Sequence, residues 1–364
     1  MAAAVGMFDP TKKPDLTDTH STAVIGPFRQ WFEPGKIVTL DPFGLDVTKT
    51  FASLIAEGYD IRPTIAATWA SIRPREIRDA VLARRLKPDG EVLIREETKR
   101  KGKRPIVTYA CPVTEIAIDP VWNLPEMAQR LGIGDLDLRR SLVEQSGGMY
   151  PDLVTRREIP IFLPPNGQTI VVIFGDTRKL GDPNTPVTVR VHDACVGSDV
   201  LDSDICTCRP YLALGFEECI RCAQEGGLGI IVYFEKEGRG LGSVTKLMVY
   251  NKRHRQPGGD SAAKYFWCTE MVAGFRDARF QLFMPDVLHW LGLEKIRLVS
   301  MSNDKYDAIV NSGIEVIERI ELPDDRIPGG ARVEIEAKKA AGYFTRGQRL
   351  NVVDLAGVRG RTFK

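Results

Sequence analysis

The chain has 364 residues, 50 Lys+Arg against 48 Asp+Glu, and 43% hydrophobic residues. This is the composition of a soluble globular protein, which excludes disordered, collagen-like and low-complexity classes. The formal net charge of +2 argues against a protein built to coat nucleic acid, and no apolar run reaches the ~18 residues of a membrane span.

The N-terminal MAAAVGMFDPTKKPDL lacks an apolar core of signal-peptide length, so a cytoplasmic location is expected. Residues 1–35, rich in Pro, Thr and Asp, are expected to run as an extended arm. Helical periodicity is read over 45–85, with Ile65, Trp69 and Ile72, then Ile77 with Val81 and Leu82, at mixed steps, mostly of three and four residues, and Pro74 as a break. GEVLIREE and PIVTYACPV predict two strands around KRKGKR, Lys99 to Arg104, read most simply as a solvated hairpin tip. GGMYPD at 147–152 is read as a domain junction. Beyond it, IPIFLPP, QTIVVIFGD and PVTVRVHD predict short strands, followed by a helix near 209–225 and the buried-type strand GIIVYFEKEG. A helical region over roughly 242–293 leads to the strand KIRLVSMS, a short helix and IEVIERIEL. Alternating strands and helices predict an α/β (α+β) protein with a mixed sheet. The expected division is an N-terminal α+β domain at 1–150, a catalytic domain at 151–330, and a tail at 331–364 that is partly helical or mobile.

Seven cysteines in a chain of this kind do not read as a disulfide framework. The sharpest chemical signal is Cys195, ten residues, Cys206, one residue, Cys208. Three thiolates can hold Zn²⁺ and leave one tetrahedral position for water, whereas a bare C-x-C often only packs. Cys219-x-x-Cys222 shares one helix face and reads as core, and His192 reads as a polar contact more than a ligand. In GIIVYFEKEGRGLG a strand opens into a Gly-rich turn with Glu237 and Arg239, which is either a simple turn or a phosphate cradle. Asp277 and Arg279 are two residues apart, and Ser300 and Lys305 follow a strand end where α/β sheets bind ligands.

RVHDAC, the C-x-C, EGRGLG with Lys246 and Tyr250, Asp277-x-Arg279, and a strand followed by Ser300 and Lys305 occur in one order. In that order they resemble GTP cyclohydrolase II over roughly 187–322. The resemblance implies a catalytic zinc on Cys195, Cys206 and Cys208, with Asp277 as proton acceptor. It also implies Arg279 as the group acting on the nucleotide α-phosphate, and Tyr250 as a substrate-positioning residue. Arg190, Glu237, Arg239, Ser300 and Lys305 match nucleotide-binding positions. Lys246, Tyr211 and Ser261, the last beside Asp260, are grouped with them. The family generally forms homodimers and uses Mg²⁺ in its phosphate chemistry.

The departures concern the base. A family Glu before the first cysteine is Ala194 here, a Gly and a Gln after C-x-C become Arg209, Pro210 and Tyr211, and Asn-Asn-Pro becomes Met301, Ser302, Asn303. Losing base-reading partners penalises guanine, so the same reaction type on another base is expected. An insertion before Gly274 brings Trp267 and Cys268 near the expected site, either as core or as a stacking ring and a thiol that adds to the base. The extra N-terminal 150 residues resemble a branch associated with uracil catabolism, which implies UMP as substrate. GTP, cleaved to formate and pyrophosphate, is the competing substrate, and a non-catalytic zinc nucleotide sensor is the reading from another class.

Overall fold

The computed structural model describes residues 12–340, apart from 101–102, 166, 258, 260–263 and 275–278. Asp277 and Ser261, together with Asp260, therefore lie outside the described residues.

The chain opens with α1 (Leu45–Thr50) and α2 (Ala52–Ala56), then β1 (Ile65–Ile72), α3 (Arg75–Leu82), β2 (Ile94–Arg100) and β3 (Lys103–Ile118). Next come β4 (Trp122–Asn123), α4 (Leu124–Leu131), α5 (Asp135–Gln145), α6 (Asp152–Thr155), β5 (Ile161–Phe162) and β6 (Thr169–Phe174). Then follow β7 (Val187–Asp193), α7 (Val196–Asp199), α8 (Cys208–Gln224), β8 (Leu228–Phe234) and α9 (Gly242–Arg255). The chain continues through α10 (Tyr265–Ala273), α11 (Pro285–Trp290), β9 (Lys295–Val299), α12 (Asn303–Asn311), β10 (Glu315–Ile320) and α13 (Arg332–Ala340).

The helix expected across 45–85 is corrected over Ile65–Ile72, which is a strand. It pairs antiparallel with β3 from Ile65 opposite Ile118 to Ile72 opposite Cys111. Eight residues of ladder outweigh a coincidental three- and four-residue spacing, because local propensity yields to long-range pairing. The helix beyond Pro74 forms as expected, as α3. The expected helical region 242–293 is divided into α9, α10 and α11. The helical part of the tail is α13, with Val333, Glu334, Ile335 and Ala337 buried.

One mixed sheet of eight strands runs β1-β3-β6-β8-β7-β9-β10, with β2 on β3. The first strands are antiparallel, whereas β8, β7, β9 and β10 are mutually parallel. Strands from the N-terminal segment thus continue the sheet that carries the motifs. Both faces are covered. Val189, Val191, Ile230 and Val232 pack on Leu288 and Trp290 of α11, and Cys111, Phe174 and Ile231 pack on Ile77 of α3 and Ile220 of α8. Parallel strands buried on both faces read as continuous apolar runs, as β8 does. No helix among the described residues is long and apolar enough to cross a membrane.

The N-terminal arm is bound to α11. Trp31 stacks on Trp290 and donates its indole N–H to the Trp290 carbonyl at 2.8 Å. Asp286, fully buried, accepts from Val38 N at 2.8 Å, Thr39 N at 3.0 Å, the Thr39 hydroxyl at 2.9 Å and Arg130 Nη1 at 2.5 Å. One carboxylate therefore ties the arm, α4 and α11 together. Asp286→Ala strips all four donors and is expected to cost about 3–5 kcal/mol, read as a lower midpoint in urea denaturation.

His289, on the same helix, is pushed down to about 4 from an ordinary 6.5, first by burial and then by the nearby Lys36 and Arg130 charges. The unfolded chain takes up this proton before the folded one does. Stability is therefore lost as pH falls from 6.5 toward 4. His289→Gln is expected to flatten that part of the stability-versus-pH curve, measured by denaturation at pH 7 and pH 5.

Candidate active site

β7 sets the frame. Its side chains alternate faces, so Val189 and Val191 enter the core against α11 while Arg190 and His192 turn the other way. The stem of Arg190 lies against Gly215 of α8, where an added Cβ would come within 2.8 Å of Arg190 Cγ. Arg190 Nη1 donates to the Val299 carbonyl at 2.9 Å, Nη2 meets His192 Nδ1 at 3.1 Å, and the guanidinium lies 5.2 Å from the centre of the Tyr211 ring. His192 Nε2 reaches Asp199 Oδ2 at 3.0 Å. Desolvation of the buried imidazole pushes its pKa down. His192 is a polar contact, as expected, and Asp199 also accepts from the Tyr233 hydroxyl and from Cys195 N, each at 3.0 Å.

Past the end of β7, Cys195, Cys206 and Cys208 converge, with their sulfurs all within 4.8 Å of one another. Cys195 Sγ and Cys206 Sγ are 3.5 Å apart. Tetrahedral zinc at the usual Zn–S length separates its sulfurs by about 3.8 Å, so the triad fits one such ion. Hydrogen bonds with Cys206 and Cys208 pull the Cys195 thiol down to about 3, helped by the Lys246 ammonium. Lys246 Nζ sits 2.8 Å from Cys195 Sγ and 2.7 Å from Glu237 Oε1. Burial would lower that ammonium's pKa, but its bonds to Cys195 and Glu237 hold it above the usual value. Glu237 Oε2 also accepts from Val196 N at 2.7 Å. Glu237 thus joins the Gly-rich turn to the helix after Cys195.

In that turn Gly238 and Arg239 are both left-handed, at φ 59° and 61°. The conformation is easy for Gly and uncommon for Arg. It directs Arg239 Nη1 to the Thr269 hydroxyl at 3.2 Å. On the opposite wall, Asp193 Oδ2 accepts from Arg279 Nη1 at 2.7 Å and from Lys305 Nζ at 2.8 Å. Burial alone would raise the Asp193 pKa, but the two cations hold it well below the carboxylate range. Lys305 also donates to the Val191 carbonyl at 3.0 Å.

A single cavity gathers these groups. Cys195, Cys206 and Cys208 line it together with Arg190, Tyr211, Glu237, Arg239, Lys246, Tyr250, Arg279, Ser300 and Lys305. All the expected site residues within the described region are brought together except Cys268. That residue is fully buried on α10, and its neighbour Thr269 lines the cavity instead. Trp267 carries the Lys252 and Lys264 ammonium groups 5.2 and 5.5 Å from its ring centre. Cys219 and Cys222 are buried against backbone carbonyls of Thr188 and Pro186, as the core reading expected. Of the departures from the family pattern, Ala194, Tyr211, Met301 and Ser302 line the cavity, whereas Arg209 and Pro210 do not.

The sequence reading gave no role to Asp193, Asp199, Glu334 or Lys338. Asp193 stands within RVHDAC, and its place two residues before the first cysteine was the available signal. Asp199 meets its partners only through the fold, and Glu334 and Lys338 reach the cavity from α13.

Comparison with known proteins gives the same picture. The family model described as "GTP cyclohydrolase N terminal" matches residues 1–145, and that described as "GTP cyclohydrolase II" matches 163–321. The chain is 48% identical over 362 residues to Uracil-regulated protein 1 of Schizosaccharomyces pombe, covering 99% of this chain and 79% of the relative. It is 48% identical over 366 residues to "Putative GTP cyclohydrolase URC1" of Lachancea kluyveri, covering 100% and 80%. It is 32% identical over 157 residues to a GTP cyclohydrolase-2 of Neisseria meningitidis, covering 43% and 73%. By both segments and by identity along nearly its whole length, the chain belongs to the GTP cyclohydrolase II-like family whose members carry this N-terminal segment.

Proposed function

We propose that the protein is a zinc-dependent hydrolase that opens the base of a nucleotide, with the uracil ring of UMP as its target. The observation that carries the reading is the three-cysteine cluster opening onto a cavity whose other walls bear Arg190, Arg279 and Lys305. Three sulfurs at one corner suit a metal site with a position left for water, and the clustered cations suit a phosphate. The uracil assignment draws on the name of the S. pombe relative and on the altered positions Ala194, Tyr211, Met301 and Ser302 along the cavity.

Cys195, Cys206 and Cys208 would hold the ion, which when bound supplies Lewis-acid activation of water. The Lys246 ammonium, 2.8 Å from Cys195 Sγ, keeps that sulfur in its thiolate form. Arg279 and Lys305, anchored on Asp193, would clamp the monophosphate. UMP has no phosphoanhydride, so Arg279 needs no nucleophilic role and Mg²⁺ is not required. Tyr250 and Tyr211 would flank the nucleoside. Asp277 is assigned as proton acceptor from the family resemblance. The reaction consumes two waters, breaks N3–C4 and N1–C6, and leaves a ribosylurea phosphate and a three-carbon acid aldehyde. We take the protein to be a cytoplasmic homodimer.

Purified protein is expected to carry about one zinc per chain by elemental analysis. Cys206→Ser is expected to lose most of it and to lower turnover at least ~100-fold, as does prolonged chelation. Mass spectrometry after incubation with UMP and with GTP decides the substrate. UMP consumption with the ribosylurea phosphate as product is the expected result. Formate release from GTP, with UMP untouched, would replace uracil by guanine. Tight nucleotide binding with no product from either would make the protein a sensor.

A further inference from the structure

The helix α13 begins at Arg332, beyond residue 321 where the family match ends. It nevertheless closes one side of the active-site cavity. Ile335 anchors it in a cluster with Tyr211, Leu214, Val299, Met301 and Leu322. One turn of the helix then sends Glu334 and Lys338 to the lining of the cavity that holds the three cysteines. Glu334 is 3% exposed. Its Oε1 accepts from Lys338 Nζ, and its Oε2 has no hydrogen-bond donor among the described residues. A buried carboxylate oxygen without a donor is costly, and native structures rarely keep one without a use.

We propose that Glu334 is a specificity determinant whose Oε2 accepts a ring N–H from the substrate base. The assignment rests on the nucleotide-hydrolase reading given above. The pairing chemistry is narrow. A carboxylate only accepts, and an ammonium only donates. With Oε1 held by Lys338, the remaining oxygen is left to accept a ring N–H, as the lactam edge of a base offers. Uracil offers N3–H between two carbonyls, and guanine offers N1–H beside O6. Cytosine and adenine present a ring-nitrogen lone pair at that place and would face Oε2 lone pair to lone pair. A site built around such a polar pair rejects the mismatched analogue strongly, because its own buried groups are then left unpaired.

The test is equilibrium binding of UMP, CMP, GTP and ribose 5-phosphate to zinc-loaded wild type, Glu334→Ala and Glu334→Gln. Thermal melting and zinc content report whether each variant is intact. Wild type is expected to prefer UMP over CMP by at least about 100-fold. Glu334→Ala is expected to weaken the preferred nucleotide by about 10- to 100-fold, the range of a lost hydrogen bond to a charged group. Its ribose 5-phosphate affinity is expected to stay unchanged. Glu334→Gln, whose amide can donate to a ring nitrogen, is expected to narrow the UMP-to-CMP ratio, and it covers the case in which the alanine variant does not fold. If wild type prefers GTP, the uracil reading fails while Glu334 is still supported by selective loss of GTP affinity. Equal weakening of nucleotide and ribose 5-phosphate, or no weakening of either, would overturn the role of Glu334. So would wild-type binding of UMP and GTP no tighter than ribose 5-phosphate.

Discussion

The carboxylate of Asp193 is the constraint on which the site depends. It ends β7 and holds Arg279 at 2.7 Å and Lys305 at 2.8 Å. Three segments far apart in sequence meet on one oxygen: the central strand, the stretch after α10 and the first turn of α12. Buried charge of this kind is poor currency for stability, since desolvation offsets most of the attraction. Its value is positional. With Asp193 ionised, two cations are kept at the cavity wall with a fixed spacing, and removal of the carboxylate would leave both without their shared partner. A second clamp of the same design stands opposite. Glu237 binds Lys246 and the backbone of Val196, and Lys246 in turn binds Cys195. One clamp positions the cationic wall and the other the sulfur corner.

Both clamps follow from the register of β7. It is the strand between β8 and β9, parallel to each, so its carboxyl end opens on the crevice where such sheets bind ligands. Alternation assigns Val189 and Val191 to the core and Arg190 and His192 to the site. A shift by one residue would exchange the two sets and bury charge against Trp290. Gly215 is part of this constraint, because the Arg190 stem occupies the space that a Cβ at 215 would need.

Much of this was legible in the sequence, for physical reasons. The C-x-C and the Gly-rich turn are local, so spacing alone brings their residues together. The parallel strand β8 is apolar along its length because both its faces are buried. What escaped depends on distant pairing. Ile65–Ile72 reads equally as a helix until β3 is placed beside it, and Trp69, which imitated a helical core position, is exposed on the sheet. Asp193 could be seen two residues before Cys195, but its partners lie 86 residues or more along the chain. Glu334 lies in a segment whose charged composition reads as a tail. Only the packing of Ile335 on the Tyr211 cluster turns its carboxylate inward.

The N-terminal segment acquires a physical role through one of the departures from the family pattern. Arg209 follows Cys208 directly, yet it does not line the cavity. Its Nε donates to Glu76 of α3 at 2.6 Å, and its Nη1 donates to the Asp199 carbonyl at 2.6 Å. Arg209 N donates to the Ser198 hydroxyl at 3.1 Å. The loop between the first and second cysteines is thereby tied to α3 of the N-terminal segment. Arg75 of α3 adds a pair to Asp202 in the same loop. Arg209 thus makes a contact between the two segments and does not face the cavity. Ala194, Tyr211, Met301 and Ser302, by contrast, do line the cavity. Tyr211 is the one among them that supports both the Arg190 guanidinium and the helix bearing Glu334. In this architecture the N-terminal segment steadies the cysteine-bearing loop, while α13 completes the cavity from the other end of the chain.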